Sequence, residues 1–141
     1  MELADALKLE YYKYVIDRQK YFTELARDAF ASYAKFFSAL GAGAVALVSA
    51  KEKLLLKPEM LNYLVSILLY LMTFLALVSS AQIVFCLSRW RHFRRQESTL
   101  NPASPAVHRL WWVFESLYIL AIGVTVVVAW SLGRQLPALL G

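Results

Sequence analysis

The chain has 141 residues, 60 % of them hydrophobic, with 15 Lys and Arg against 10 Asp and Glu and a mean hydropathy of +0.50. Soluble domains are roughly 45–50 % apolar, so this composition excludes an ordinary water-soluble domain and leaves one membrane-embedded unit too small for a roomy enclosed site. Cys86 is the single cysteine, which rules out an intrachain disulfide and a thiol metal cluster and leaves it as a small apolar filler.

Met1 to Lys35 is charged throughout, unlike a cleavable signal, so the amino terminus is expected to be retained. From Glu2 to Lys35 there is no Gly or Pro. Apolar side chains recur at Leu3, Leu7, Tyr11, Tyr14, Val15, Phe22, Leu25, Ala29, Tyr33 and Phe36, mostly three or four apart, which predicts an amphipathic helix. Glu10, Lys13, Asp17, Lys20, Glu24 and Arg27 alternate in sign along the other face, at spacings that allow ion pairs. The segment carries six basic and six acidic residues. A surface helix that lies on anionic lipid is usually rich in Lys and Arg, so balanced charge favours contacts with protein over contacts with the bilayer. No breaker intervenes before Gly41, so this arm (1–35) is expected to run on into the first span.

The first span is placed at 36–56, with Lys51 and Lys53 snorkelling outward. Ala39, Gly43, Ala46 and Ala50 share one of its faces and would let a second helix approach closely, in this chain or in a neighbour. The second span, 60–88, is uncharged for about 29 residues, or about 43 Å of helix against a hydrocarbon core of ~30 Å. Tyr63, Ser66, Tyr70, Thr73 and Ser80 form a hydroxyl stripe along it. Hydroxyls seldom face lipid in a row, so the stripe should meet protein or water, or bond its own helix carbonyls.

Residues 89–109 read as a basic cytosolic loop: Arg89, Arg91, Arg94, Arg95 and Arg109 stand against Glu97 alone. Such a loop belongs inside. With it inside, the Lys51–Glu59 turn lies outside, and the first segment must cross to keep the arm's basic residues in. The fold expected is therefore an all-α integral membrane protein with three transmembrane helices and a long amphipathic amino-terminal cytosolic helix, assembling as a homo-oligomer. A two-span hairpin with the first segment on the membrane surface is the alternative. Arg89-Trp90-Arg91-His92-Phe93-Arg94-Arg95 interleaves cations with aromatics. That pattern suits interface anchoring, and it also suits an anionic ligand such as a nucleotide, an oligonucleotide or a lipid headgroup held by Arg89, Arg91, His92, Arg94, Arg95 and Arg109.

Asn101-Pro102-Ala103-Ser104-Pro105 breaks the chain, with Ser104 as a cap and Pro105 at the first helical position, ahead of a third span at 110–132 and a short external tail, 133–141. Glu115 lies about five positions into that span and shares a face with Trp111, Tyr118, Ile122 and Thr125. A carboxylate there costs a few kcal/mol unless paired or wet, so it should meet an arginine of the loop or join symmetry-related copies in a ring at a pore mouth.

Catalytic and metal sites are not indicated. His92 and His108 lack acidic or Cys partners at ligand spacing, and there is neither a phosphate-cradling Gly loop nor a nucleophile elbow; no cofactor is implied, and the chain is not expected to be an enzyme.

A charged, aromatic-rich cytosolic helix, closely packed spans and a basic cytosolic loop within about 140 residues resemble the small membrane effectors of bacterial anti-phage defence systems, SLATT-like or nucleotidyltransferase-partnered. The resemblance implies oligomerisation and permeabilisation of the inner membrane on a cytosolic signal. It also implies a conduction path that includes Glu115 and the hydroxyl stripe, and a gate built from the arm and the arginines. The expected partners are membrane lipid, further copies of the chain, and a cytosolic anionic ligand, nucleic acid included, or a regulatory protein. A phage holin and a non-conducting anchor or assembly subunit are the competing readings.

Overall fold

A computed structural model describes residues 2–50, 57–101 and 109–139, with side chains described over 5–50, 57–101 and 116–135. The described residues form three α-helices: α1, Glu2–Ser49, α2, Pro58–Leu100, and α3, Arg109–Leu139. All three are long and apolar enough to cross a membrane, by length and composition.

Local chemistry accounts for the length of α1 and for both ends of α2. α1 is a single helix of 48 residues, about 72 Å long, because nothing in it removes a backbone donor and its glycines at Gly41 and Gly43 cost only propensity. α2 opens with Pro58 at its first position, where a missing N–H is harmless, and with Glu59 in the first turn, where a carboxylate complements the helix dipole. It stops at Leu100, before Asn101-Pro102.

Three sequence boundaries need correction or fall outside the described residues. The basic segment is helical from Arg89 to Leu100 rather than a loop, because it contains no Gly or Pro and its Trp90 and Glu97 are buried by packing. The supposed tail from Gly133 is helical as far as Leu139. Helix α1 ends at Ser49 with Ala50 in a turn, so the expected end of the first span at Leu56 lies outside the described residues, as do the Ser104 cap and Pro105.

Contacts divide the chain into two units, each drawing on all three helices. One comprises residues 1–30 and 81–118 and is called here the polar unit; the other comprises 31–80 and 119–141 and is called the apolar unit. In the polar unit α1 buries Val15, Gln19, Ala26 and Ala29, and α2 buries Ile83, Cys86, Trp90 and Glu97. Leu7, Tyr11 and Tyr14, members of the predicted apolar stripe, are instead exposed. In the apolar unit Val48, Leu61, Val65, Leu69 and Met72 form a core, with Phe37, Leu40, Leu47, Ala129 and Trp130 packed on it. Burial of these side chains would each stabilise by about 1.5–3 kcal/mol in water. Lipid is as apolar as they are, so within a bilayer close packing and hydrogen bonds must hold the unit together instead.

Candidate functional site

Among the described residues of the polar unit the most buried polar side chain is that of Glu97, 3 % exposed, on the last turns of α2. Gln19 of α1, 8 % exposed, donates from Nε2 to Glu97 Oε2 at 2.8 Å, and Arg94, one turn before Glu97, makes an ion pair with the same oxygen. A carboxylate out of water is tolerable only with such partners. Gln19 does carry a signal in the sequence, being a polar side chain at apolar spacing, four after Val15 and three before Phe22.

The helical backbone disperses the basic cluster. At 100° per residue its members point in different directions round α2. Arg89, His92 and Arg95 are exposed, whereas Arg91 and Arg94 are half-buried and Trp90 is buried. The Gln96 side-chain nitrogen lies 3.2 Å from His92 Nε2 one turn away. The aromatics that alternate with the cations in the sequence turn inward. Phe93 stacks on Phe22 with centroids 5.9 Å apart and meets Tyr14 edge-on at 6.2 Å. Phe22 and Phe93 are half-buried against each other, whereas Tyr14 is 46 % exposed.

In the apolar unit the hydroxyl stripe divides. Ser66 donates to the Asn62 carbonyl and Thr73 to that of Leu69, each one turn back, at 2.8 Å. Thr73 also accepts a hydrogen bond from Trp130 Nε1 of α3 at 2.9 Å. Ser80 is half-buried, and its neighbour Ser79, outside the predicted stripe, is buried. Tyr63 and Tyr70 are 67 % and 65 % exposed. Tyr70 meets the Trp130 ring edge-on at 5.3 Å, and its hydroxyl has no partner among the described residues.

Thr125, predicted to share a stripe with Glu115, donates to the Ile122 carbonyl at 2.8 Å and lies 2.6 Å from the Tyr33 hydroxyl of α1. With its one proton so committed, Thr125 accepts from Tyr33. Tyr118, in the polar unit, stacks on Phe30 at 4.6 Å. The side chains of Glu115 and Arg109 lie outside the described residues.

The small-residue face of α1 is left open. Ala39, Gly43 and Ala46 are exposed, Ala50 is partly covered, and a Cβ at Gly43 would meet nothing within 4 Å. The face that packs within the chain is the one bearing Phe37, Leu40 and Val48. Beside it is an apolar cleft of about 300 Å³, lined among others by Gly41, Met72, Val128 and Gly133. Its lining is apolar and cannot replace the hydration shell of an ion.

Among the described residues these features define an all-helical protein with three helices long and apolar enough to span a membrane. Comparison with protein-family models, curated proteins and solved structures returns no match.

Proposed function

We propose that the chain is a homo-oligomeric membrane channel or pore-forming effector, gated from the cytosol by an anionic ligand such as a nucleotide or oligonucleotide and acting in bacterial anti-phage defence. In this reading it sits in the inner membrane with its amino terminus inside and its carboxyl terminus outside.

The observation that carries the proposal is Tyr70. It stands 12 residues into α2, about 18 Å along an apolar helix, with 65 % of its surface exposed and its hydroxyl unpartnered among the described residues. A hydroxyl in hydrocarbon costs on the order of 2 kcal/mol or more without a hydrogen bond. Another copy of the chain, or water held between copies, supplies the missing partner. The open Ala39, Gly43 and Ala46 face offers close helix contact for such assembly.

Purified protein reconstituted in liposomes should conduct ions in at least one ligand state, and Glu115→Gln should change ion selectivity. Absence of conductance in every state, or an unchanged selectivity in that variant, counts against the channel.

A second reading, a non-conducting anchor or assembly subunit, is favoured by the hydroxyls of Ser66, Thr73 and Thr125, which find partners within the chain. Isolation only as a complex with a larger partner, and never as a self-assembly, would decide for it.

A further inference from the structure

The outer surface of the polar unit carries an aromatic and charged face that the chain itself leaves exposed. Phe30 of α1 stacks on Tyr118 of α3. Tyr21 stands nine residues before Phe30, about 180° round the helix, so Tyr21, and Tyr14 seven residues earlier, look away from α3. Both tyrosines are exposed, as is Leu7 a further seven residues back. The Arg18 guanidinium carbon lies 5.2 Å from the Tyr14 centroid and 6.0 Å from that of Tyr21, which ties the two rings into one platform. Tyr and Arg are enriched where proteins bind one another, and an exposed run of them marks an interaction surface.

Charge divides this face into two halves. Asp17 and Arg95 each stand two residues before one end of the Gln19–Glu97 hydrogen bond, about 160° round their helices from it, so they lie on opposite outer edges of the α1–α2 pair. Phe93 contacts both Tyr14 and Phe22, which places it level with Arg18. On antiparallel helices Asp17 then lies one residue, and Arg95 two residues, to the same side of that level, within about one helical turn of each other. Asp17 belongs to a row of exposed acids, Glu10, Asp17 and Glu24, that follows the tyrosines at seven-residue steps. The exposed ionisable side chains on the α2 half are Arg89, His92 and Arg95. Asp17 and Arg95 make no ion pair among the described residues.

Copies inserted in one bilayer share an orientation, so a symmetric pair of them has its twofold axis along the bilayer normal and its α1 helices run parallel. Rotation about that axis sets the acidic edge of one copy against the basic edge of the other, at matching level, twice in each pair. A partner of uniform charge would meet repulsion along one edge, so the divided charge selects a second copy of the chain. We propose that the polar units of two copies pack together through this face, with Tyr14 and Tyr21 covered and Asp17 of each copy beside Arg95 of the other. This inference rests on the self-assembly part of the reading above, to which it adds the contact made by the polar unit, and it is independent of conduction.

The test uses full-length chains that carry a donor or an acceptor fluorophore, reconstituted together in liposomes over a range of protein-to-lipid ratios, so that energy transfer reads self-association. Asp17→Arg and Arg95→Asp each place like charges together at both edges and should weaken self-association by about tenfold or more. Mixed with each other, the two variant chains should associate as the unaltered protein does, because every altered side chain then meets its opposite. A mixture of Asp17→Arg with Lys20→Glu chains carries the same charge changes with one of them off the pairing position, and should stay weaker than the matched mixture. Where circular dichroism shows that a reversal has disturbed the helices, Tyr21→Ala takes its place and should lower energy transfer at unchanged helicity. The interface is overturned if these variants leave transfer unchanged, which would give the face to a different protein, or if the matched mixture associates no better than the unmatched one. Absence of transfer in the unaltered protein would overturn the self-assembly reading as well, whereas transfer that survives every variant removes this interface and leaves that reading standing.

Discussion

Gly133 and Gly43 show how position decides what a glycine is for. A Cβ on Gly133 would lie 2.9 Å from both Leu69 methyl carbons and 3.3 Å from Cγ, so Leu69 would have to give up part of its core packing and swing toward the apolar cleft that both residues line. Gly133→Ala should therefore destabilise by about 1–3 kcal/mol in denaturant unfolding in detergent. Gly43 has open space around it, so Gly43→Ala should leave that stability unchanged or raise it by up to about 1 kcal/mol through helix propensity. Glu97 is a residue-scale commitment of another kind. Glu97→Ala removes the shared partner of Gln19 and Arg94; with Arg94 still 19 % exposed and able to turn toward water, a loss of about 2–4 kcal/mol is expected in the same assay. A smaller change than about 1 kcal/mol would mean that the network contributes little.

Among the elements, α2 departs most from its reading in the sequence. Charge density suggested a loop after Ser88, but Arg and Gln are good helix formers, no breaker occurs before Pro102, and the turns from Arg89 to Leu100 have Trp90 and Glu97 to bury. Backbone amides from Arg89 to Glu97 should accordingly be protected in hydrogen exchange as a helical segment. Exchange at the rate of an open loop would contradict the continuous helix. The same continuity separates residues that the sequence shows side by side: Arg89, His92 and Arg95 are exposed, Trp90 is buried, and Arg91, Phe93 and Arg94 are half-buried.

At the scale of the whole molecule, the exposed outer faces are where self-assembly is tested. Gly43→Leu places bulk on a face that the chain itself leaves empty, so it should disturb self-assembly without disturbing the fold. Native mass spectrometry in nanodiscs alongside circular dichroism separates the two, and an unchanged oligomer would remove this face from the interface. Tyr70→Phe should leave monomer stability within about 0.5 kcal/mol, because its hydroxyl has no partner among the described residues, yet should weaken assembly or conductance.

Composition and the spacing of charges were sufficient for three helices able to span a membrane, because the length of an uncharged run and the need to satisfy backbone hydrogen bonds are properties of the chain alone. They were also sufficient for the helical arm, whose uninterrupted run lacks any breaker. Tertiary structure decided the rest. That Gln19 meets Glu97, that Tyr33 meets Thr125, and that Phe22 meets Phe93 depend on the rotation and register of one helix against another. Periodicity within a single helix identifies its faces, but only packing selects which face meets which, and at what level.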